Sequence, residues 1–240
     1  MCVNLSQVTG CDDQFLSVLG GSHRLHPQVV AAFERLQVSA ATAGFELRAV
    51  SCYRSFERQL AIWNAKAKGE RAVLDIAGKV LDRNRCNDWE WVQAILRWSA
   101  LPGASRHHWG SDLDVYDAAA VTADYRVQLI SDEVGPGGVF CALHDWLDTQ
   151  IEGHSAEGFF RPYAFDGGGV APERWHLSHA PVARSCERLL TADALFALLE
   201  QQPNFELWPV VAEHWQEIYQ RFVLAPLSAQ AQLAAGRGRV

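Results

Sequence analysis

Apolar positions recur at the helical period from Pro27 to Ala43: Val29, Val30, Phe33, Leu36, Ala40 and Ala43, with Gly44 as the stop. The period then changes. Phe45, Leu47 and Ala49 alternate with other residues, which predicts a strand running to Tyr53 and delivering Arg54 to its end. Ser55 is placed to cap a helix to about Lys68, and Trp89 to Ser99 predicts another. Residues 69–88 between them have mixed character and read as an insertion, a short helix and a loop beside a cleft. Asp112 to Asp117 alternates again, with Asp112 and Asp114 on one face and Leu113 and Val115 on the other. A further strand is predicted at Trp175-His176-Leu177-Ser178. Helices are predicted over Val139–Gln150, Pro181–Leu190 and Thr191–Gln201. The segment Glu152 to Gly169, with Gly153, Gly158 and Gly167 to Gly169, predicts a hairpin or mobile loop. Leu207, Val210, Val211, Trp215, Ile218, Tyr219 and Phe222 trace one amphipathic final helix. Helices around a small, mainly antiparallel sheet make the fold class α+β. The expected organisation is one domain over 1–225, with a core at about 25–182 and a helical appendage at 183–225. A flexible tail is expected over 226–240.

Composition narrows the function classes. The chain has 240 residues, 49% of them hydrophobic, which is a globular rather than a disordered balance. Its formal net charge of −7 argues against a nucleic-acid footprint. No stretch reads as a membrane span. The first residues hold Asp12 and Asp13 and no basic start followed by an apolar run, so the expectation is a cytoplasmic protein, or a periplasmic one if the start site is mis-assigned. The six cysteines form no C-x-x-C pair and read as free thiols, with Cys52 structural.

The chemistry lies in two strings. The first is Ser105-Arg106-His107-His108-Trp109-Gly110-Ser111-Asp112-Leu113-Asp114, and the second is Glu173-Arg174-Trp175-His176. Catalytic zinc usually takes three protein ligands and leaves one position open. His107, Asp114 and His176 are assigned as ligands of one zinc ion per chain. Glu173 is assigned as general base, reaching water near the metal if the chain curls before the strand. His107 and Asp114 are an odd number of residues apart, so a straight strand would point them to opposite sides; Gly110 is suited to bend the chain between them. His108 is read as structural. His179 is a candidate substrate contact. His23, His26, His144, His154 and His214 show no ligand pattern. Trp63, Trp109 and Trp175 lie in or near the motifs, where tryptophans serve the core or wall a cleft.

The first string resembles the S-x-H-x-x-G-x-A-x-D motif of the LAS metallopeptidases, which include VanY-type and VanX-type D-alanyl peptidases. The second is similar to their E-x-W-H motif. Ser51-Cys52-Tyr53-Arg54-Ser55-Phe56-Glu57-Arg58-Gln59 resembles the S-G-Y-R-S-x-x-x-Q segment of the VanY type. The resemblance implies a hedgehog-like fold, zinc at His107, Asp114 and His176, Glu173 as base and Arg54 as the cation that steadies the oxyanion. It also implies Ser105 and Gln59 as substrate contacts. The chain departs from the pattern at Asp112, where Ala is usual, and at Cys52, where Gly is common. Asp112 is expected to tune the zinc, to grip a substrate amine or simply to be solvated.

These features lead to an expectation. The chain is a zinc carboxypeptidase releasing terminal D-alanine from peptidoglycan peptides, with L,D-cleavage of tetrapeptide ends placed ahead of D,D-cleavage of pentapeptide ends on grounds of compartment. The alternatives are a peptidoglycan endopeptidase, a D-Ala-D-Ala dipeptidase, and a non-catalytic hedgehog-like binding module, against which the retained Glu173 speaks.

Overall fold

The computed structural model describes residues 3–224; the expected tail lies outside the described residues. Helix α1 (Leu5–Val8) opens with a capping box between Asn4 and Gln7. A hairpin of β1 (Ser17–Gly20) and β2 (His23–Leu25) leads into α2 (Pro27–Thr42), which has Pro27 in its first turn and ends before Gly44 at φ +92°. Then follow β3 (Leu47–Ser51) and α3 (Phe56–Ala67), whose N-cap is Ser55, its hydroxyl accepting from Arg58 N. Next come α4 (Asp88–Trp98), β4 (Asp112–Asp117), α5 (Ser131–Val134) and α6 (Cys141–Glu152). The chain continues through β5 (Phe159–Phe160), β6 (His176–His179), α7 (Ala180–Glu187) and α8 (Ala192–Glu200) to α9 (Trp208–Glu213) and α10 (Trp215–Ile218).

The main sheet has the order β3-β4-β6-β5 and every neighbouring pair is antiparallel. Strand β4 sits inside it, and alternation gives it two different faces. Leu113 and Val115 join Leu177 and the α2 residues Val29, Phe33 and Leu36 in an apolar core. Burying each such side chain stabilises the fold by roughly 1.5–3 kcal/mol before entropy is counted. Asp112 and Asp114 point to the opposite face, opposite Ser178 and His176 in register. A second core forms where α7 to α10 pack on α3 and α4 around Trp63, Trp91, Ile95 and Trp215.

Two expectations about elements are corrected. The segment 152–169 is not a hairpin. Phe159 and Phe160 form an edge strand on β6, and Asp166 beyond them is clamped by Arg97 at 2.8 and 2.5 Å. Its glycines serve other ends: a Cβ on Gly169 would stand 2.1 Å from the Arg221 carbonyl oxygen. The predicted final helix is three pieces. His214 interrupts it and stacks on Trp89 with ring centroids 3.9 Å apart, and a π-type turn, Tyr219–Leu224, follows α10. Residues 69–88 contribute a Leu74–Val80 bridge and a 3-10 turn at Arg83–Arg85.

Candidate active site

The first string turns as its residue spacing requires. Arg106–Trp109 forms a 3-10 turn, Gly110 adopts the left-handed conformation at φ +65°, and β4 follows. A Cβ on Gly110 would lie 2.4 Å from Leu16 Cδ2 and 3.0 Å from His26 N, so space as well as φ demands glycine there. This turn brings His107 round to the face that Asp114 shares with His176. Nε2 of His107 is 3.4 Å from Asp114 Oδ2, and Nδ1 of His176 is 3.3 Å from Asp114 Oδ1. One ligand atom from each of the three residues falls within 4.8 Å of the others, and all three are buried.

Each ring is oriented from behind. His107 Nδ1 donates to the Cys52 carbonyl at 2.8 Å, which leaves Nε2 as the free acceptor. His176 Nε2 donates to Asp112 Oδ1 at 2.9 Å, which turns Nδ1 toward Asp114. Asp114 Oδ1 is buried and has no hydrogen-bond partner. A buried carboxylate with an unpartnered oxygen, set between two imidazole nitrogens, is a donor set for a borderline metal such as zinc. Burial disfavours charge on His176, but the hydrogen bond to Asp112 and the nearby carboxylates of Asp114 and Glu173 overcome this and raise its pKa well above 6.5. The proton there stands where a cation belongs, and metal binding would displace it.

Glu173 reaches the same point. Its backbone N donates to the Tyr163 carbonyl and its own carbonyl accepts from His176 N, which closes the curl before β6. Glu173 Oε2 lies 3.3 Å from His176 Nδ1 and the side chain keeps 16% exposure, so it is open to the cavity. The next residue, Arg174, anchors this segment on α6 through Asp145 at 2.5 Å and Asp148 at 2.6 Å, and to the Val134 carbonyl at 2.7 Å.

Arg54 is fixed at the end of β3. Its guanidinium donates to Gln59 Oε1 at 2.9 Å and Ser51 Oγ at 3.4 Å, while its carbonyl accepts from His108 Nδ1 at 2.6 Å. His108 accepts in turn from Gly103 N at Nε2, so this buried, neutral ring ties the turn to the arginine. Cys52 is buried beside Asp114, and burial and that negative charge push its thiol up to about 12, which leaves it inert as a nucleophile.

Arg54, Ser105, His107, Asp114, Glu173 and His176 border one cavity of about 520 Å³, a size suited to a small ligand. Trp175 also borders it, packed among Val134 and Phe140. Three candidate substrate contacts are placed elsewhere. Gln59 is fully buried, holding Arg54 and donating to the Ala100 carbonyl at 2.6 Å. His179 points to the other face of β6, against Phe159 at 5.3 Å between ring centroids. Asp112 is fully buried and cannot grip a substrate amine: it accepts from His176, Ser111 and Ser178, and Arg106 Nε lies 2.9 Å away. Burial opposes its charge, but Arg106 and His176 outweigh that and hold its carboxyl well below the usual range.

Sequence reasoning missed Arg106, Tyr163, Lys66 and Arg71. Arg106 stands inside the first string, where the motif assigns it no role. Its other nitrogens bond Ser178 at 2.7 Å and Glu187 at 3.1 Å, completing the network behind His176. Tyr163 packs edge-on against His176 at 5.0 Å, and it came from a segment read as loop. Lys66 and Arg71 border the cavity, yet neither belongs to a motif. No helix among the described residues is long and apolar enough to cross a membrane.

Comparison with known proteins agrees with this geometry. An uncharacterized protein of Haemophilus influenzae is 59% identical over 80 residues, covering 33% of this chain and 55% of the relative. A second uncharacterized protein from the same organism is 29% identical over 118 residues, covering 42% of this chain and 88% of that one. This chain thus spans about half the length of the first relative. Among solved structures, VanYB in complex with D-Alanine-D-Alanine superposes with a TM-score of 0.51 at 18% identity, over 80% of this chain and 91% of that chain. The LdcB LD-carboxypeptidase gives a TM-score of 0.50 at 18% identity, over 74% and 73%. These similarities show the hedgehog-like peptidase fold. The D-alanyl-D-alanine carboxypeptidase family VanY matches residues 22–182, two thirds of the sequence. The chain therefore belongs to the VanY D-alanyl-D-alanine carboxypeptidase family.

Proposed function

We propose that this protein is a zinc-dependent carboxypeptidase that releases a terminal D-alanine from peptidoglycan peptides. The observation that carries the reading is Glu173, a partly buried carboxylate open to the cavity and 3.3 Å from a ligand-type nitrogen of the His107, Asp114, His176 cluster. Structural zinc is usually enclosed by four protein ligands, whereas three residues converge here and Glu173 stands beside them as a second carboxylate, open to the cavity.

His107, Asp114 and His176 would hold the metal. Zinc in such a setting supplies Lewis acidity, polarising the scissile carbonyl and lowering the pKa of water. Glu173 takes the proton of the attacking water and passes it to the departing amine. Arg54, immobilised by Gln59, Ser51 and His108, offers a fixed positive charge to the oxygen on which negative charge develops. Ser105 borders the same space with a hydroxyl that makes no capping bond. Asp112 acts from behind, fixing the ring and the basicity of His176.

Tetrapeptide ends (L,D-cleavage) and pentapeptide ends (D,D-cleavage) both suit this machinery. Zinc-loaded protein incubated with each peptide and followed by mass spectrometry tests the reading. Release of D-alanine from at least one is expected, and release from neither overturns it. In the same assay, Glu173→Gln should retain stoichiometric zinc while turnover falls by roughly 10²- to 10⁴-fold. Unchanged turnover would refute the base assignment. Loss of turbidity on intact walls without release of D-alanine would favour an endopeptidase.

A further inference from the structure

The cavity holds more positive charge than the reacting centre uses. Arg54, Lys66 and Arg71 all border it, while its bordering acids are Asp114 and Glu173, both committed to the metal site and the base. Arg106 borders it too, but Asp112, Glu187 and Ser178 occupy its guanidinium.

The three cations are ordered by depth. Arg54 is the innermost, and its electrostatic partners include both Asp114 and Glu173. The charges that act on Lys66 are those of Arg71, Glu173 and Arg54. Arg71 is exposed at the rim, on the segment that follows α3. Among the described residues, neither the Lys66 ammonium nor the Arg71 guanidinium has a hydrogen bond or an ion pair. Lys66 stands in the last turn of α3, where a cation favours the helix dipole, but a dipole is served equally well from solvent. Lys66 is instead held where burial and the two arginines push its pKa down to about 8. An anion brought beside it would relieve that cost.

A substrate's terminal carboxylate lies one carbon from the scissile nitrogen and so stays close to the reacting centre. A carboxylate on a longer side chain reaches further out. We propose that Lys66 and Arg71 form a second carboxylate subsite, which receives a free side-chain carboxylate on the residue that donates the scissile carbonyl. This rests on the carboxypeptidase reading above and selects between its two versions. A penultimate D-alanine has only a methyl group to offer, so the subsite favours L,D-cleavage after a residue with an acidic side-chain end.

The test uses two N-acylated peptides ending in D-alanine that differ only in a free carboxylate or a carboxamide on the penultimate side chain. The zinc-loaded protein should prefer the carboxylate peptide by about tenfold in kcat/KM, the scale of one charge-assisted hydrogen bond. In the double variant Lys66→Met, Arg71→Met the preference should fall to within about twofold. Lys68→Met, at an exposed position paired with Glu206, serves as the control and should keep it. Equal rates of the wild type on both peptides overturn the proposal. So does an equal loss on both peptides in the double variant, which would assign these cations to the terminal carboxylate. Calorimetric titration of the same two peptides gives the ratio of Kd values independently of cleavage. A protein that binds the carboxylate peptide selectively but cleaves neither would keep the subsite and lose the proposed activity.

Discussion

At the scale of the residue, His176 depends on a carboxylate that the family motif does not require. Two acids on one face of β4 share its ring: Asp114 stands at Nδ1 and Asp112 at Nε2. Asp112 carries its charge at zero exposure because Arg106, Ser111 and Ser178 surround it. Removing that charge should therefore act on both the metal and the fold. Asp112→Asn is expected to weaken zinc binding by roughly 10- to 100-fold, measured by competition with a chromophoric chelator. Asp112→Ala leaves Arg106 buried with only Glu187 as its acid, and should cost about 3–5 kcal/mol in denaturant unfolding. Wild-type zinc affinity in both variants would show that Asp112 has no part in tuning the site.

At the scale of the element, the decisive feature is the break between the 3-10 turn at Arg106–Trp109 and β4. Gly110 makes that break, and its left-handed φ and its closeness to Leu16 both exclude a side chain. Gly110→Ala should destabilise the protein by more than about 1 kcal/mol and lower zinc stoichiometry along with it, since the same turn aims His107. A melt unchanged within error would mean that the turn can relax. The motif segments were legible because their chemistry is local. A strand period placed Asp112 and Asp114 on one face, and Ser55 marked the start of α3. The final helix was misread because periodicity records which residues are buried. It does not register a stacking contact such as Trp89 with His214 that stops the helix partway.

At the scale of the whole molecule, burial of neutral imidazoles couples folding to pH. Burial drives the pKa of His108 and of His144 from the ordinary 6.5 down to about 3. Below 6.5 these rings take up protons in the unfolded chain but not in the fold, so unfolding binds protons. Their contribution is complete above 6.5 and is lost progressively as pH falls toward 3. His176 works in the opposite sense, its raised pKa adding stability that fades above 6.5, outside this window. The urea midpoint of the metal-free protein should therefore fall steadily between pH 6.5 and 4. His144→Leu should make that slope shallower, and an unchanged slope in the variant would remove His144 from the account.

The sequence by itself determined the α+β class, the main helices and the identity of the ligand and base candidates. Those follow from period, capping and residue chemistry within a few positions of one another. Only the tertiary structure decided which way the neighbouring side chains face. Gln59 and Asp112 turn from substrate contacts into supports for Arg54 and His176, because β4, β6 and α3 bury them behind the cavity. Lys66 and Arg71 enter the cavity from outside any motif, because α3 and the segment after it pack along its edge. Strand parity and helical period assign a residue to a face. What that face meets depends on contacts between segments far apart in the chain, such as Asp112 with His176 and Arg106 with Ser178.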